Sequence, residues 1–344
     1  MRYFKTLGTT AALLLMTLCG PATRIAWSHD SISAVETVYA FDFNTRPRPF
    51  TEGLAIDKRG NIFVGLYLKG EIWKFTPDGT PTVFATLDVG NQGGGLVGLA
   101  FDDEGNLYAC LASYVQGTHG IWKIDRWGHA SLFAALDPFA QPVPPLPGYM
   151  AFGLPSGVYG FPNAIAVDHD GNMYVSDSYL ALIWKITRSG KVSVWLQDPL
   201  LDWQMSGQGY GANGLEFDRG SLFIANTDQS SIVRVPVREE GRAGVAAIYA
   251  QDPIALQGAD GIAFDVQHNI YVANDIINTL ARVSPQRVIT TLATAASALD
   301  YPASTSFGST EGHRRTLYFT NNGSFFNTPS LQKIEVGVEG DRLP

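Results

Sequence analysis

Cysteine is scarce in this sequence: Cys19 and Cys110 are the two present among 344 residues. A disulfide framework therefore cannot hold the fold, which must depend on packing. The Cys-x-x-Cys, His-Glu-x-x-His and Gly-x-Ser-x-Gly motifs are absent as well. Structural zinc and covalent catalysis by serine or cysteine are consequently disfavoured.

Charged residues are also few, at 16% of the chain, and acidic residues outnumber basic ones by 32 to 24. An acidic surface argues against nucleic acid or anionic lipid as a partner. Hydrophobic residues reach 45%, with 36 glycines and 19 prolines. This composition is typical of a large buried core joined by many tight turns.

No apolar run approaches the roughly 20 residues that a membrane-spanning helix needs. The nearest candidate, Ala11 to Leu18, follows the basic residues Arg2 and Lys5 and precedes the small-x-small sequence Ala26-Trp27-Ser28. These features in this order predict a secretory signal peptide at residues 1–28.

Cleavage there would leave one mature domain at 29–344, in a secreted or periplasmic location, with no membrane span. It would remove three basic residues and no acidic one, which moves the formal charge from −8 to −11. Because Leu18 precedes Cys19, lipoprotein anchoring at Cys19 stays open as an alternative. The oligomeric state is not predicted.

A repeated unit organises the rest of the chain. Each copy has a short apolar strand that ends in Asp, a turn containing Gly, and a second short strand. The anchor residues of the copies are Asp57, Asp102, Asp168, Asp218 and Asp265, with Gly308 in a degenerate sixth copy. Their spacings of 45, 66, 50, 47 and 43 residues are those of propeller blades.

The sequence therefore predicts an all-β protein, a six-bladed β-propeller with four antiparallel strands per blade. The sixth copy supplies three strands, the last near residues 331–336, and Glu36 to Phe41 precedes the first copy as an unassigned strand. Pairing these two segments would close the ring and leave no long sheet edge unpaired.

The position five residues before each anchor should lie at one end of the central channel. In blade order these positions are Glu52, Val97, Asn163, Asn213, Asp260 and Ala303. Four of the six carry side-chain oxygens, without a thiol or an imidazole, which favours Ca²⁺, Mg²⁺ or Mn²⁺. Alternatively, such residues cap turns or bind water, as Asn and Asp often do in loops.

These residues also carry a resemblance to the regucalcin/gluconolactonase family, whose propellers are distantly akin to paraoxonases and strictosidine-synthase-like proteins. The matching sequences are Glu52-Gly53, Pro162-Asn163, Asn213-Gly214-Leu215 and Asp260-Gly261. The resemblance implies Glu52, Asn213 and Asp260 as ligands of one divalent cation. It places Asn163 beside them, either as a further ligand or in contact with substrate or water. Calcium is the expected ion, with magnesium, manganese and zinc as alternatives.

Two departures from these relatives bear on specificity. Val97 stands where paraoxonases carry a histidine thought to act as a base, so that mechanism does not carry over. The connection from Ala134 to Gly160 is long and rich in Pro, Phe and Tyr. It predicts a substrate larger and more apolar than a plain sugar lactone.

Loops between the second and third strands should reach the same mouth. They add candidate pocket residues, of which most would be structural: Tyr67, Tyr114, His119, Asp177, Tyr179, Asp228, Asn274, Asp275 and Asn321. His119 is the histidine that this reasoning places at the mouth, where it could transfer a proton.

The leading functional hypothesis is a metal-dependent hydrolase of lactones or related esters acting on a small-molecule substrate. The cation would polarise a carbonyl and activate water, and Asp260 or a neighbouring carboxylate would accept the proton. The alternatives are a metal-dependent isomerase, cyclase or lyase of secondary metabolism, and a non-enzymatic ligand-binding propeller with a structural metal.

Overall fold

The computed structural model describes residues 33–90, 94–113, 115, 117–136, 160–204 and 207–341. In these residues the chain forms 24 strands in six four-stranded antiparallel sheets, which are the blades of a six-bladed β-propeller. Three short 3-10 segments occur at Pro199–Leu201, Glu239–Gly241 and Ala295–Ser297. No helix in the described residues is long and apolar enough to cross a membrane.

The strands of a blade follow one another from the channel outwards. A strand β1 (Glu36–Ala40) precedes blade one. Blade one contains β2 (Thr51–Ile56), β3 (Ile62–Leu66), β4 (Glu71–Phe75) and β5 (Pro81–Thr86). Blade two contains β6 (Gly95–Phe101), β7 (Leu107–Ala112), β8 (Gly120–Ile124) and β9 (Ala130–Ala135). Blade three contains β10 (Pro162–Val167), β11 (Met173–Asp177), β12 (Leu182–Ile186) and β13 (Val192–Gln197).

The second half of the ring repeats this order. Blade four contains β14 (Ala212–Asp218), β15 (Ser221–Asn226), β16 (Ser231–Pro236) and β17 (Ala247–Gln251). Blade five contains β18 (Ala259–Phe264), β19 (Ile270–Asn274), β20 (Thr279–Val283) and β21 (Ile289–Ala293). Blade six contains β22 (Pro302–Phe307), β23 (Thr316–Asn321) and β24 (Ser330–Glu335), and β1 is its fourth strand.

The closure of the ring follows the prediction. β1 pairs antiparallel with β24, with Glu36 opposite Lys333 and Ala40 opposite Ser330. The innermost strands of neighbouring blades contact one another around the whole channel, including β2 of blade one against β22 of blade six. The N-terminal strand thus covers an edge that would otherwise be open to other chains.

The anchor aspartates fold the turn between the first two strands. The Asp57 carboxylate accepts hydrogen bonds from the backbone N–H groups of Arg59 and Asn61 and from the Asn61 side chain. The same arrangement recurs at Asp102, Asp168 and Asp265. These side chains stabilise turns at the end of the channel remote from the ring positions.

Aromatic side chains pack between successive blades. In four of the six junctions a ring from a second strand meets a ring from the first strand of the next blade, at 5.0 to 5.2 Å between centroids. The pairs are Phe63 with Phe101, Tyr174 with Phe217, Phe223 with Phe264 and Tyr271 with Phe307. Edge-on contacts of this kind add about 0.5–1.5 kcal/mol each to the burial of the rings.

Candidate functional site

Each innermost strand contains a β-bulge close to its first residue. In blade one the pairing of β2 with β3 skips Glu52 and Gly53, which together stand opposite one residue of β3. The same irregularity recurs at the corresponding point of the other five blades. The first residues of the six bulges, here called the ring residues, are Glu52, Val97, Asn163, Asn213, Asp260 and Ala303. A bulge redirects its side chain out of the ladder, and all six innermost strands have one at the same position.

The glycine after a ring residue lets adjacent blades approach closely. A Cβ atom added at Gly53 would lie 2.1 Å from the carbonyl oxygen of Val97, and one at Gly214 would lie 2.3 Å from that of Asp260. Both distances are below any van der Waals contact, so a side chain here would push the blades apart. The Glu-Gly, Asn-Gly and Asp-Gly sequences therefore combine a polar ring residue with the close packing that keeps the ring narrow.

A cavity of about 200 Å³ opens at this mouth of the channel. Its described lining residues are Phe50, Glu52, Tyr67, Phe161, Asn163, Tyr210, Asn213, Asp260, Asp275, Tyr301, Asn322 and Ser324. All four polar ring residues are among them, and none of the described lining residues is lysine, arginine or histidine. The described lining therefore contributes three carboxyl groups, those of Glu52, Asp260 and Asp275, and no cationic side chain.

The two ring carboxyl groups lie in an environment that disfavours their charge. Asp260 is 5% exposed, and its pKa is raised well above the ordinary value by burial and by the charges of Glu52 and Asp275. Burial also raises the pKa of Glu52 to about 7, although a 2.9 Å hydrogen bond from Asn322 opposes that shift. A divalent cation between these carboxylates would stabilise their charged forms and so lower both pKa values.

The two ring carboxamides have a fixed orientation. Asn163 Nδ2 donates to Ser178 Oγ at 3.0 Å, and that hydroxyl donates in turn to the carbonyl oxygen of Ala212 at 2.6 Å. Because the hydroxyl has one proton, which the carbonyl takes, it can only accept from the amide. The amide nitrogen of Asn163 is thereby held towards blade four, which leaves its oxygen for the cavity.

Asn213 repeats this arrangement one blade further. Its Nδ2 donates to Thr227 Oγ1 at 2.9 Å, and Thr227 donates to the carbonyl oxygen of Ala259 at 3.0 Å. The Oδ1 atom of Asn213 is buried and has no hydrogen-bond partner among the described residues. A buried carbonyl oxygen without a hydrogen-bond partner destabilises the folded state unless a bound ligand interacts with it.

Asp275 lies directly after β19 and enters the cavity above Gly258. A Cβ atom at Gly258 would lie 2.1 Å from Asp275 Oδ1, so the absence of a side chain there makes room for the carboxyl group. Burial raises the pKa of Asp275 to about 7, and polar contacts with Tyr301 and Gln208 oppose that shift. The Tyr301 hydroxyl donates to Gln208 Oε1 at 3.0 Å, and Gln208 Nε2 lies 3.5 Å from Asp275 Oδ1.

Two other predicted pocket residues, Asp177 and Asp228, bind loop backbone and are not among the described residues that line the cavity. Asp177 accepts from the N–H groups of Phe161 and Leu180 and from the indole of Trp184. Asp228 likewise accepts from three backbone N–H groups in the segment that leads into β14.

The remaining candidates divide between the cavity and its surroundings. His119 is buried and its Nδ1 lies 3.1 Å from the carbonyl oxygen of Ser113, outside the set that lines the cavity. Asn274 and Asn321 donate to carbonyl oxygens of neighbouring loops. Tyr67 lines the cavity, whereas Tyr179 packs against the lining residue Phe161. Tyr114 and most of the connection at 134–160 lie outside the described residues.

Several lining residues were not predicted from the sequence. Phe50, Phe161 and Tyr301 each stand two positions before a ring residue, so the alignment that found the ring could have found them. Asn322 occupies in blade six the place that Asp275 occupies in blade five, directly after the second strand. Gln208 is not part of the repeated pattern, so the sequence did not indicate it.

These features define the class to which the chain belongs: a six-bladed propeller with a carboxylate and carboxamide ring at one mouth. No protein-family model and no curated protein matches the sequence.

Among solved structures, a luciferin-regenerating enzyme has a TM-score of 0.65 at 13% identity, covering 91% of this chain and 98% of that one. A calcium-binding protein, regucalcin, from Agrobacterium tumefaciens has a TM-score of 0.62 at 18% identity, covering 90% and 95%. A gluconolactonase from Xanthomonas campestris has a TM-score of 0.62 at 16% identity, covering 88% and 89%. At these identities the likeness establishes a shared fold, and it agrees with the resemblance drawn from the sequence.

Proposed function

We propose that this chain is a secreted, divalent-metal-dependent hydrolase of lactones or related esters. The observation that carries the proposal is the ring, in which the buried carboxyl group of Asp260, the half-buried one of Glu52 and two oriented carboxamides converge on one cavity. Its structural neighbours, a gluconolactonase and a calcium-binding regucalcin, support it.

The donor set suits a hard cation. Glu52 and Asp260 offer carboxylate oxygens whose two charges would balance a divalent ion, and the buried Oδ1 of Asn213 needs a partner. No group of three or more His, Cys, Asp and Glu side chains in the described part of the chain is arranged to hold a metal. The proposed site therefore depends on carboxamide oxygens as much as on carboxylates. Calcium accepts such mixed oxygen shells, and it is the ion we propose.

When bound, the cation would supply Lewis acidity towards a substrate carbonyl and lower the pKa of a water molecule. The residues divide the remaining work. Glu52, Asn213 and Asp260 would hold the ion, while Asn163 would complete the shell or fix the substrate oxygen. Asp275 is not a ring residue, so its carboxylate is available to accept the proton from water. Gln208, which itself accepts a hydrogen bond from Tyr301, would keep that carboxylate oriented.

The test combines metal analysis with a panel of lactones and esters, assayed with and without chelator. Asp260→Ala and Glu52→Gln should abolish hydrolysis and weaken calcium binding much more than Asn163→Ala does. A matched control is Asp170→Ala, because Asp170 is an exposed carboxylate of a remote turn. If chelation changes neither the melting temperature nor the rate, and the ring variants behave like wild type, the ring is not a metal centre. A protein that binds calcium but hydrolyses nothing in the panel would instead be a binding propeller, or an isomerase or lyase.

A further inference from the structure

A second tier of positions lies directly before the polar ring. Two residues ahead of each ring residue the chain carries an aromatic side chain in blades one, three and six and a glycine in blades two, four and five. The six positions are Phe50, Gly95, Phe161, Gly211, Gly258 and Tyr301. All three aromatic residues line the cavity. We call Phe50, Phe161 and Tyr301 the aromatic tier.

Two of the three glycines of this tier, Gly95 and Gly258, make room for side chains that directly follow the second strands. A Cβ atom at Gly95 would lie 2.1 Å from the Tyr67 ring, just as one at Gly258 would overlap Asp275. Tyr67 therefore adds a fourth aromatic side chain to the lining in blade one, and Tyr210, one residue before Gly211, adds a fifth. The apolar faces of these aromatic side chains therefore surround the polar ring residues on several sides.

On the side of blades three and four the aromatic residues form a cluster. The ring centroids of Phe161 and Tyr179 are 4.9 Å apart, and those of Phe161 and Tyr210 are 5.4 Å apart. Tyr179 and Tyr210 also pack on each other at 5.5 Å. Each of these three aromatic side chains packs on the other two, so this side of the cavity has a fixed aromatic wall.

Blade six carries a second wall on an extended loop. The connection from β23 to β24 runs through 322–329 and has eight residues, against four in the corresponding loops of blades one, three, four and five. Phe325 packs against Tyr301 with ring centroids 5.3 Å apart and against Phe326 at 6.4 Å. Ser324 and Asn322 of the same loop line the cavity.

A buried carboxylate fixes the shape of this loop. Asp300 is fully buried and accepts hydrogen bonds from the backbone N–H groups of Phe325, Phe326 and Thr328 and from the Thr328 hydroxyl. Despite this anchoring, Phe325 is 50% exposed and Phe326 is 60% exposed. They are the most exposed phenylalanines among the described residues. A loop that is held rigidly and still presents apolar rings beside a cavity is suited to binding an apolar ligand.

We propose that these aromatic walls bind the apolar substituent of the substrate, which makes the preferred substrates uncharged lactones or esters with an alkyl or aryl group. This inference rests on the hydrolase proposed above. A polyhydroxylated sugar lactone would place hydroxyl groups against phenyl faces, where they would lose hydrogen bonds to water without replacement. An anionic substrate would meet three carboxyl groups in a cavity whose described lining has no cationic side chain.

The experiment compares γ-butyrolactone, γ-decalactone and gluconolactone as substrates of the full chain with calcium. The kcat/KM of wild type should be higher for γ-decalactone than for either of the other two. We expect a difference of about tenfold or more, because apolar contacts in a pocket discriminate between substrates by that order. The variant Phe325→Ala/Phe326→Ala should lose that preference, because its kcat/KM for γ-decalactone should fall much further than its kcat/KM for γ-butyrolactone. Trp127→Ala is the matched control, because Trp127 is 66% exposed in a turn between β8 and β9, at the remote end of its blade. It should behave as wild type.

Binding separates the failure of this inference from the failure of the proposed function. N-octylpyrrolidone, a lactam that the enzyme would not open, should raise the melting temperature of wild type and of Trp127→Ala but not of the double variant. If no lactone or ester is hydrolysed and the lactam still binds in this pattern, the hydrolase proposal fails and the apolar site stands. Equal hydrolysis of gluconolactone and γ-decalactone, or an unchanged preference in the double variant, would overturn the inference.

Discussion

The side-chain amide of Asn322 donates a 2.9 Å hydrogen bond to the carboxylate of Glu52, although the two residues are 270 positions apart. Asn322 belongs to blade six and Glu52 to blade one, so the bond crosses the junction at which the ring closes. The Thr320 hydroxyl crosses the same junction to the carbonyl oxygen of Glu52 at 2.7 Å. The geometry of the candidate site therefore depends on the closure that β1 provides.

Deletion of residues 29–41 should destabilise the protein strongly. It removes the whole β1–β24 pairing and the contacts of Tyr39 with Phe75 and of Phe41 with Trp73. Loss of one buried aromatic side chain alone costs about 3–5 kcal/mol, so we expect a loss of at least that size in denaturant unfolding. The chain that begins at His29 is the control. Unfolding of the deleted chain at the same denaturant midpoint would contradict this assignment of β1.

The stability of the cation-free protein should fall as the pH rises from about 5.5 to about 8. Burial raises the pKa of Glu52 from its ordinary 4.5 to about 7, so between these values the folded state holds a proton that the unfolded state releases. Asp275 and Glu216, with pKa values raised by burial to about 7 and about 8, act in the same direction. A cation bound by the deprotonated carboxylates should reverse the loss.

Melting temperatures measured in chelator and in saturating calcium, at both ends of this pH range, test the linkage. Calcium should raise the melting temperature more at the alkaline end. Glu52→Gln should reduce the fall in chelator without abolishing it, because Asp275 and Glu216 remain. Glu240→Gln, at a carboxylate with 82% side-chain exposure, should leave the profile unchanged. A cation-free protein that becomes more stable with rising pH would contradict the environment assigned to Glu52.

Thr227 should control cation binding without touching the cation. Its hydroxyl accepts from the Asn213 amide nitrogen, which leaves the unpartnered Oδ1 as the atom available to a cation. In Thr227→Val the amide loses that acceptor and can rotate, so calcium affinity should fall by about 10-fold to 100-fold. Thr227→Ser keeps the hydroxyl and should bind calcium like wild type. Titration calorimetry with calcium alone measures both variants, and equal affinities would show that the hydroxyl does not orient the ligand.

Much of this fold follows from repetition in the sequence. The spacing of the anchors predicted six blades, and the unmatched strand before the first copy predicted how the ring closes, because a sheet edge must be paired. The ring positions aligned because each innermost strand carries the same bulge. Their common role as metal ligands stays a prediction.

The parts that sequence reasoning did not supply depend on contacts between blades. The hydroxyl of Ser178 connects Asn163 to a carbonyl oxygen of the next blade, and no spacing within one repeat encodes that bond. Asp177 is the last residue of β11 and accepts backbone N–H groups, whereas Asp275 comes one position later in its repeat, directly after β19, and lines the cavity. The position in the repeat, and not the residue type, separates the two roles.

Asp300→Asn should alter both stability and substrate preference. The substitution exchanges one carboxylate oxygen for an NH₂ group that would face the backbone N–H groups of Phe325, Phe326 and Thr328. Leaving a buried hydrogen-bonding group unsatisfied costs about 1–3 kcal/mol, and the loop that carries the two phenylalanines would lose its fixed shape. We therefore expect a lower melting temperature together with a weaker preference for long-chain over short-chain lactones.

Asp252→Asn is the matched control for a purely structural effect. The Asp252 carboxylate accepts from the backbone N–H groups of Ile254 and Ala255 in the loop before blade five, and neither of these residues belongs to the described lining of the cavity. This variant should lose stability while keeping the substrate preference of wild type. Chain-length preference, measured as the ratio of kcat/KM for γ-decalactone and γ-butyrolactone, separates the two cases. If Asp300→Asn lowers the melting temperature and leaves that ratio unchanged, Asp300 stabilises its loop without shaping the substrate site.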